Sequence, residues 1–266
     1  MELYDAIFYR KSIREYSYTK LNSELIDIVN KICKETKGFN NDLNIEAHFV
    51  ARGHMIELTL GKKNKIKAPH YIVITSNEGD NYLENVGFIG QEIILKLTSL
   101  GLATCWVENL LNRRDIEEII NIKDEVDEDG EIIEEKIAKP LAIIALGYPK
   151  DGVELFRNKE TKINRKSKKD ISKNMKGKIE IVLDAVRLAP SFENLQPWKI
   201  YKKNQNIMFY QPKQKKKYTI LSKISMGIFI KHFEIACNNY GIEFEISDEK
   251  FKNKINKEFI KNITLL

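Results

Sequence analysis

Near the N-terminus, Arg10-Lys11-Ser12-Ile13-Arg14 sets guanidinium groups and a hydroxyl at alternate positions. In an extended segment alternate residues share a face, so Arg10, Ser12 and Arg14 point the same way. Planar guanidinium forks around a hydroxyl suit a phosphate or another polyoxygen anion, because charge-assisted bonds form there in pairs. The same residues also suit a solvated basic strand paired to Glu15. A second polar constellation lies far along the chain, in Leu188-Ala189-Pro190-Ser191-Phe192-Glu193-Asn194-Leu195-Gln196-Pro197-Trp198. Prolines this close together forbid a continuous helix. Between them Ser191, Asn194 and Gln196 offer donors and acceptors that serve either a flat polar ligand or a well-capped turn.

Other chemistries find no support. The cysteines Cys33, Cys105 and Cys237 are far apart and set in apolar sequence, which reads as buried thiols of a cytosolic protein. The histidines His48, His54, His70 and His232 lack ligand spacing, so no metal site is expected. No Ser/His/Asp or Cys/His arrangement emerges, and no residue is assigned as an obligatory catalytic acid or base. Cys105, between Thr104 and Trp106, is expected to be an inert thiol.

Composition sets the class. The chain has 266 residues, 42% hydrophobic and 31% charged, as in an ordinary globular protein with ample core. The acidic start Met1-Glu2-Leu3-Tyr4-Asp5 does not read as a signal peptide, no apolar run is long enough to span a membrane, and a cytoplasmic location follows as the expectation. The net charge of +6 owes much to lysine runs at 62–67, 165–169 and 213–217. These lack the interleaved aromatics that stack bases, so no nucleic-acid partner is expected.

Periodicity supplies the elements that must position these residues. A short helix over Met1–Phe8 precedes the Arg10 segment. Leu21, Leu25, Ile28, Val29, Ile32 and Cys33 then mark an amphipathic helix capped by Asn22 and ending near Lys37-Gly38. Strands are expected at 45–51, 69–75, 102–107 and 141–146, with a basic loop at 59–67, a short helix at 113–120 and an acidic hairpin or loop at 124–135. A long helix carries Val86, Ile89, Ile93, Ile94, Leu97 and Leu100 and stops at Gly101. Its Gly87 and Gly90 would let a neighbour approach closely. Residues 150–178 lack periodicity. A helix through Ile179, Val182, Leu183, Val186 and Leu188 leads to the proline corner, followed by paired strands at 198–201 and 207–210. A second long helix over 224–240 stops at Gly241, before a strand at 242–246. The halves repeat a theme, with Asn85-Val86-Gly87-Phe88-Ile89 matching Ser225-Met226-Gly227-Ile228-Phe229 in order more than in identity.

The proline corner closely resembles the A-P-S-x-x-N-x-Q-P-W signature of the nitroreductase family of flavin enzymes. Arg10 to Arg14 resembles that family's R-R/K-S-x-R/K segment. Gly101-Leu102-Ala103-Thr104-Cys105-Trp106 looks like its G-L-G-T-C-W with Ala103 in place of a glycine, Gly147-Tyr148-Pro149 matches its G-Y-P, and Arg165-Lys166 resembles its late R-x-K/R. The resemblance implies an α+β nitroreductase-like fold with FMN as cofactor. It assigns FMN contacts to Arg10, Lys11, Ser12, Arg14, Thr104, Cys105, Trp106, Arg165, Lys166, Pro190, Ser191, Asn194 and Gln196.

The order of the motifs is unusual. In the family the proline segment follows the arginine segment by a few tens of residues, whereas here residues 34–44 read KETKGFNNDLN and the proline segment falls in the second half. In the family the two segments come from different subunits. The chain therefore looks most like the subgroup with both lobes fused: two related lobes, each with a mostly antiparallel sheet and packed helices, at 1–150 and 179–266, joined by a basic connection at 151–178. A monomer acting as an intrachain pseudo-dimer is expected. The implied activity is transfer of reducing equivalents from NADH or NADPH to a small-molecule acceptor, a nitroaromatic or quinone. The alternative is a flavin-binding protein without turnover, serving storage, sensing or a partner.

Overall fold

Two antiparallel sheets with the same strand order form the frame. In the first, β1 (Ile45–Val50), β2 (His70–Ser76), β3 (Ala103–Val107) and β4 (Lys139–Gly147) lie in the order β1-β2-β4-β3. In the second, β6 (Lys199–Lys203), β7 (Asn206–Pro212), β8 (Phe244–Ser247) and β9 (Lys257–Leu265) lie in the order β6-β7-β9-β8, with the two-residue β5 (Ser172–Lys173) added parallel to β6. The computed structural model describes residues 1–266 except Asn41, Leu110, Glu125, Val126, Glu128, Glu135, Lys136, Lys159 and the side chain of Lys63. The expected acidic loop at 124–135 lies partly outside the described residues.

Both sheets carry a one-residue bulge at the same place. Ile74 pairs with Ala142 and Thr75 with Pro140, which leaves Leu141 as the extra residue; Phe209 pairs with Lys261 and Tyr210 with Phe259, which leaves Ile260. Strand alternation then sorts side chains between two cores. Ile72, Ile74, Ile144 and Leu146 face the main core, whereas Tyr71, Val73, Ile143 and Ala145 face a smaller cluster on the other side. Because β2 is covered on both faces, every one of its residues is buried, and it reads as a continuous apolar run. The short helices α3 (Gly53–Leu60) and α5 (Arg113–Ile116) lie on the side of the smaller cluster and supply Ile56 and Ile116 to it.

The long helices α4 (Tyr82–Ser99) and α8 (Thr219–Asn239) cross at the centre of the main core. The crossing is reciprocal. A Cβ on Gly87 would clash with the Ile224 carbonyl and the Ile228 amide; a Cβ on Gly227 would clash with the Glu84 carbonyl and the Phe88 amide. Each glycine thus meets residues three before and one after the other, the self-complementary pattern of a two-fold contact. Beside the crossing, buried Lys231 donates to Glu92 at 2.6 Å and to Glu234, with its ammonium 3.5 Å from the centroid of the Phe88 ring.

Several elements differ from the sequence reading. The α2 helix (Ser23–Glu35) starts as expected, with Asn22 accepting from the Leu25 amide at 2.9 Å, but it ends before Gly38. Gly38 instead leaves room for Asn85, whose Oδ1 accepts from the Phe39 and Asn40 amides. The first residues of the expected basic loop belong to α3 and to a 3-10 turn at Gly61–Lys63. The helix expected at 113–120 is regular only through Ile116. The helix expected at 179–188 is a 3-10 turn (Gly177–Val182) followed by α7 (Leu183–Val186), since Ile179 and Val182 are spaced for a three-residue turn. The aperiodic connection holds α6 (Lys168–Ile171) and β5, and it packs on the first half where Phe156 bridges Arg10. The expectation lacked β9, the strand joining β7 to β8, because its alternation is broken by Lys261 and Asn262, polar residues that are nonetheless buried.

Candidate functional site

The arginine segment leaves α1 (Leu3–Tyr9) in extended backbone, with Arg10 at φ −61° and ψ 133°. It is tied down between the halves: the Ile13 amide donates to the Thr104 carbonyl at 3.1 Å, and the Arg157 amide donates to the Tyr9 carbonyl at 2.7 Å. Ile13 turns into the smaller core, while Arg10, Ser12 and Arg14 line one cleft, as alternation requires.

The opposite wall is the proline corner. Glu193, Asn194 and Gln196 all adopt left-handed backbone, with φ of +44°, +55° and +50°. Each such residue costs on the order of 1 kcal/mol, so the conformation persists only where surrounding bonds over-determine it. Those bonds are present. Ser191 Oγ accepts from the Gln196 amide at 2.9 Å, Gln196 Oε1 accepts from the Lys166 amide at 2.7 Å, and Lys166 Nζ donates to the Leu195 and Gln196 carbonyls. Arg165 Nη1 donates to Asn194 Oδ1 at 2.9 Å. Trp198, fully buried, stacks on Phe229 at 4.5 Å and anchors the exit of the corner.

The cleft has two ends that meet at Ser12, Arg14, Glu108, Pro190 and Ser191. The apolar end is narrow and is walled by Cys105, Trp106, Leu141, Phe192, Ile224 and Ile228. The basic end gathers Arg10, Lys11, Arg157, Lys162, Arg165 and Asn194, with Glu108 and Glu193 as its acidic members. Among the sequence candidates, Arg10, Lys11, Ser12, Arg14, Cys105, Trp106, Arg165, Pro190, Ser191 and Asn194 line this cleft. Thr104, Lys166 and Gln196 do not: Thr104 tethers the arginine segment from behind, and Lys166 and Gln196 spend their polar groups on holding the corner.

The basic end is short of negative charge. Arg10 is only 3% exposed, and its sole side-chain bond among the described residues is from Nη2 to Ser12 Oγ at 3.0 Å. Among the described residues no carboxylate oxygen lies within 4.0 Å of the guanidinium nitrogens of Arg10, Arg14, Arg157 or Arg165. The Nε donors of Arg10 and Arg165 are buried without any partner. Burial pulls the Arg10 guanidinium down to about 10, and Arg165 and Arg14 push the same way. Arg157 falls to about 10 through burial and its Arg10 and Arg165 neighbours. Arginine stays protonated in proteins, so these shifts express first the cost of burying the cations and then that of crowding them, a cost that a bound anion would relieve. A phosphate therefore suits the charge of the basic end, and the apolar lining of the other end suits the face of a flat ring.

Behind the apolar end a buried polar chain fixes Trp106. Its Nε1 donates to Gln91 Oε1 at 3.2 Å, Gln91 Nε2 lies 2.9 Å from His232 Nε2, and His232 Nδ1 lies 3.1 Å from the Ala185 carbonyl. One tautomer satisfies every member, with Nδ1–H donating to Ala185 and Nε2 accepting from Gln91. Burial holds His232 down at about 3, with the cleft arginines adding to that, so the ring is neutral. Burial likewise raises the Cys105 thiol, despite Arg10 and Arg14 nearby.

A protein-family model described as "Putative TM nitroreductase" matches residues 2–237. The chain belongs to the nitroreductase family. A Thermotoga maritima protein described as a "putative nitroreductase" shares 19% identity at a TM-score of 0.60, covering 100% of this chain and 93% of that one, and so has the same fold. A Bacteroides fragilis nitroreductase with bound FMN shares 16% identity at a TM-score of 0.46, over 61% of this chain and 95% of that one. A Clostridium novyi nitroreductase family protein shares 22% at 0.44, over 57% and 87%. No curated protein matches. The α+β reading with two antiparallel sheets holds for this family member. Among the described residues no helix is long and apolar enough to cross a membrane.

Sequence reasoning missed Arg157, Lys162 and Glu108. Glu108 follows the strand motif, and its Oε1 accepts from the Glu193 amide at 3.2 Å, closing one wall onto the other. Arg157 had one faint signal: it follows Phe156, the lone aromatic of a lysine-rich connection, which packs edge-on to Tyr9 at 6.2 Å.

Proposed function

We propose that the cleft binds FMN and that the chain is an FMN-dependent oxidoreductase, taking reducing equivalents from NADH or NADPH and passing them to a nitroaromatic, a quinone or a similar small acceptor. The observation that carries this reading is the set of one buried and two half-buried guanidinium groups, Arg10, Arg157 and Arg165, without acid partners among the described residues and facing a cleft whose other end is apolar. Arg10, Arg157 and Arg165 would hold the phosphate, with Ser12 and Asn194 supplying neutral contacts. Arg10 Nε and Arg165 Nε, otherwise unbonded, would donate to it. Trp106, Leu141, Ile224 and Ile228 would enclose the ring and exclude water. FMN, when bound, would supply hydride acceptance from a nicotinamide and delivery to a second molecule in turn.

Both walls come from one chain, which supports a monomer with a complete site: a lobe at 1–150, a lobe at 179–266 and a connection at 151–178. Three buried free cysteines suit a reducing compartment, and we place the protein in the cytoplasm. The test is spectroscopic. After FMN is added and unbound ligand removed, a yellow protein is expected that bleaches anaerobically with NADH or NADPH. A colourless protein would sink the flavin reading, and a yellow one that neither donor bleaches would leave a flavin-binding protein without turnover.

A further inference from the structure

A second cleft opens on the far side of the α4–α8 crossing, lined by residues that include Asn40, Asn81, Glu84, Asp248 and Lys261. Its position follows from the internal symmetry. Counting back from the paired glycines, Asn81, just before α4, and Glu84 on α4 occupy the places of Leu221 and Ile224 on α8. The bulge residues Leu141 and Ile260 line the first and second cleft respectively, and so do their successors Ala142 and Lys261. The residue after β3 is Glu108 and the residue after β8 is Asp248. The corner matches too: the Phe192 amide donates to Ser225 Oγ at 3.2 Å, and the Phe39 amide donates to Asn85 Oδ1 at 2.8 Å, with both acceptors two residues before their glycine.

The side chains at these matched positions differ, apart from the phenylalanine of the corner and the acid after the edge strand. No arginine is among the residues lining the second cleft. Where the first has the methyl of Ala142, the second has Lys261, whose Nζ donates to Asp248 Oδ1 at 2.7 Å and lies 5.5 Å from the centroid of the Phe39 ring. Lys261 thus reaches from the counterpart of Glu108 toward the counterpart of Phe192, across the gap that those residues border in the first cleft. Where the first has Ile224, the second has Glu84, 2% exposed and with no cation within 4.0 Å among the described residues. The rim adds Glu249 and the ion pairs of Lys250 with Asp80 and Lys223 with Glu258.

We infer that this cleft is the internal twin of the FMN cleft, closed to flavin by its own side chains, so that one chain takes one FMN. The inference rests on the proposed function. A phosphate entering the twin would meet five carboxylates and three lysines that already hold acid partners, and a ring would have to displace Lys261 from Asp248.

Equilibrium dialysis of the full chain against FMN tests this, with one FMN per chain expected. Two per chain would overturn the inference while the flavin reading stands; none would overturn both. Location is tested by paired variants. Arg10→Ala should weaken FMN at least tenfold, whereas Lys261→Ala combined with Asp248→Ala should leave affinity within twofold. A tenfold loss from that double variant would place FMN in the wrong cleft and overturn the inference. Should the double variant fail to fold, Glu84→Gln gives the same readout, with unchanged affinity expected and a tenfold loss contrary.

Discussion

The two clefts sit on matched frames and hold different chemistry. Each lies where a bulged strand, the end of an edge strand, the N-terminal part of a long helix and a helix-to-strand corner converge. In one, four arginines lack acid partners among the described residues; in the other, lysines are paired with acids, as in Lys223–Glu258 at 3.2 Å and Lys250–Asp80 at 3.0 Å. Strand order and helix crossing come from backbone packing and apolar patterning, which tolerate polar exchanges at the open ends of strands. Ligand selectivity depends on a handful of side chains at those ends. A duplicated frame can therefore keep its geometry while one of its sites changes character.

The largest expected effect tests the frame itself. Gly87→Ala and Gly227→Ala each force a methyl into the partner helix's backbone, which cannot retreat as a side chain could. Each should cost at least about 3 kcal/mol, read as a lowered urea midpoint. The symmetry predicts similar costs, and a difference of more than about 1 kcal/mol between them would break the comparison.

The next concerns Glu84, whose carboxyl burial raises from 4.5 to about 7. A raised folded value means that its contribution is fully present below pH 4.5 and is lost as pH rises through 7. Glu84→Gln should therefore stabilise the chain at pH 9 by on the order of 2 kcal/mol, with the gain shrinking toward pH 4. A pH-independent difference would remove Glu84 from the buried, uncompensated role assigned to it.

Arg157→Ala sharpens the contrast from the other side. Loss of one charge-assisted contact should weaken FMN binding about 10- to 100-fold in a fluorescence titration. Unchanged affinity would confine the anion to Arg10 and Arg165. The smallest effect belongs to Lys261→Ala. Its partner Asp248 is almost fully exposed, so the stability change should stay within about 1 kcal/mol in the same urea experiment.

What could be read directly from the chain were the features that depend on neighbours in sequence. Alternation placed Arg10, Ser12 and Arg14 on one face, helical spacing located α2, α4 and α8, and the prolines flanking Ser191 marked a corner. Each is a local consequence of backbone sterics and side-chain period. Tertiary structure decided the rest. Only the fold brings Arg157 from an aperiodic connection onto the Arg10 segment, turns Lys166 and Gln196 from ligand candidates into braces of a strained corner, and buries Lys261 and Asn262 in a strand whose alternation they break. It also sets Gly87 against α8 and Gly227 against α4, and so defines where a twin cleft must lie. Contacts between residues more than a hundred positions apart leave no period in the chain, because nothing local requires them.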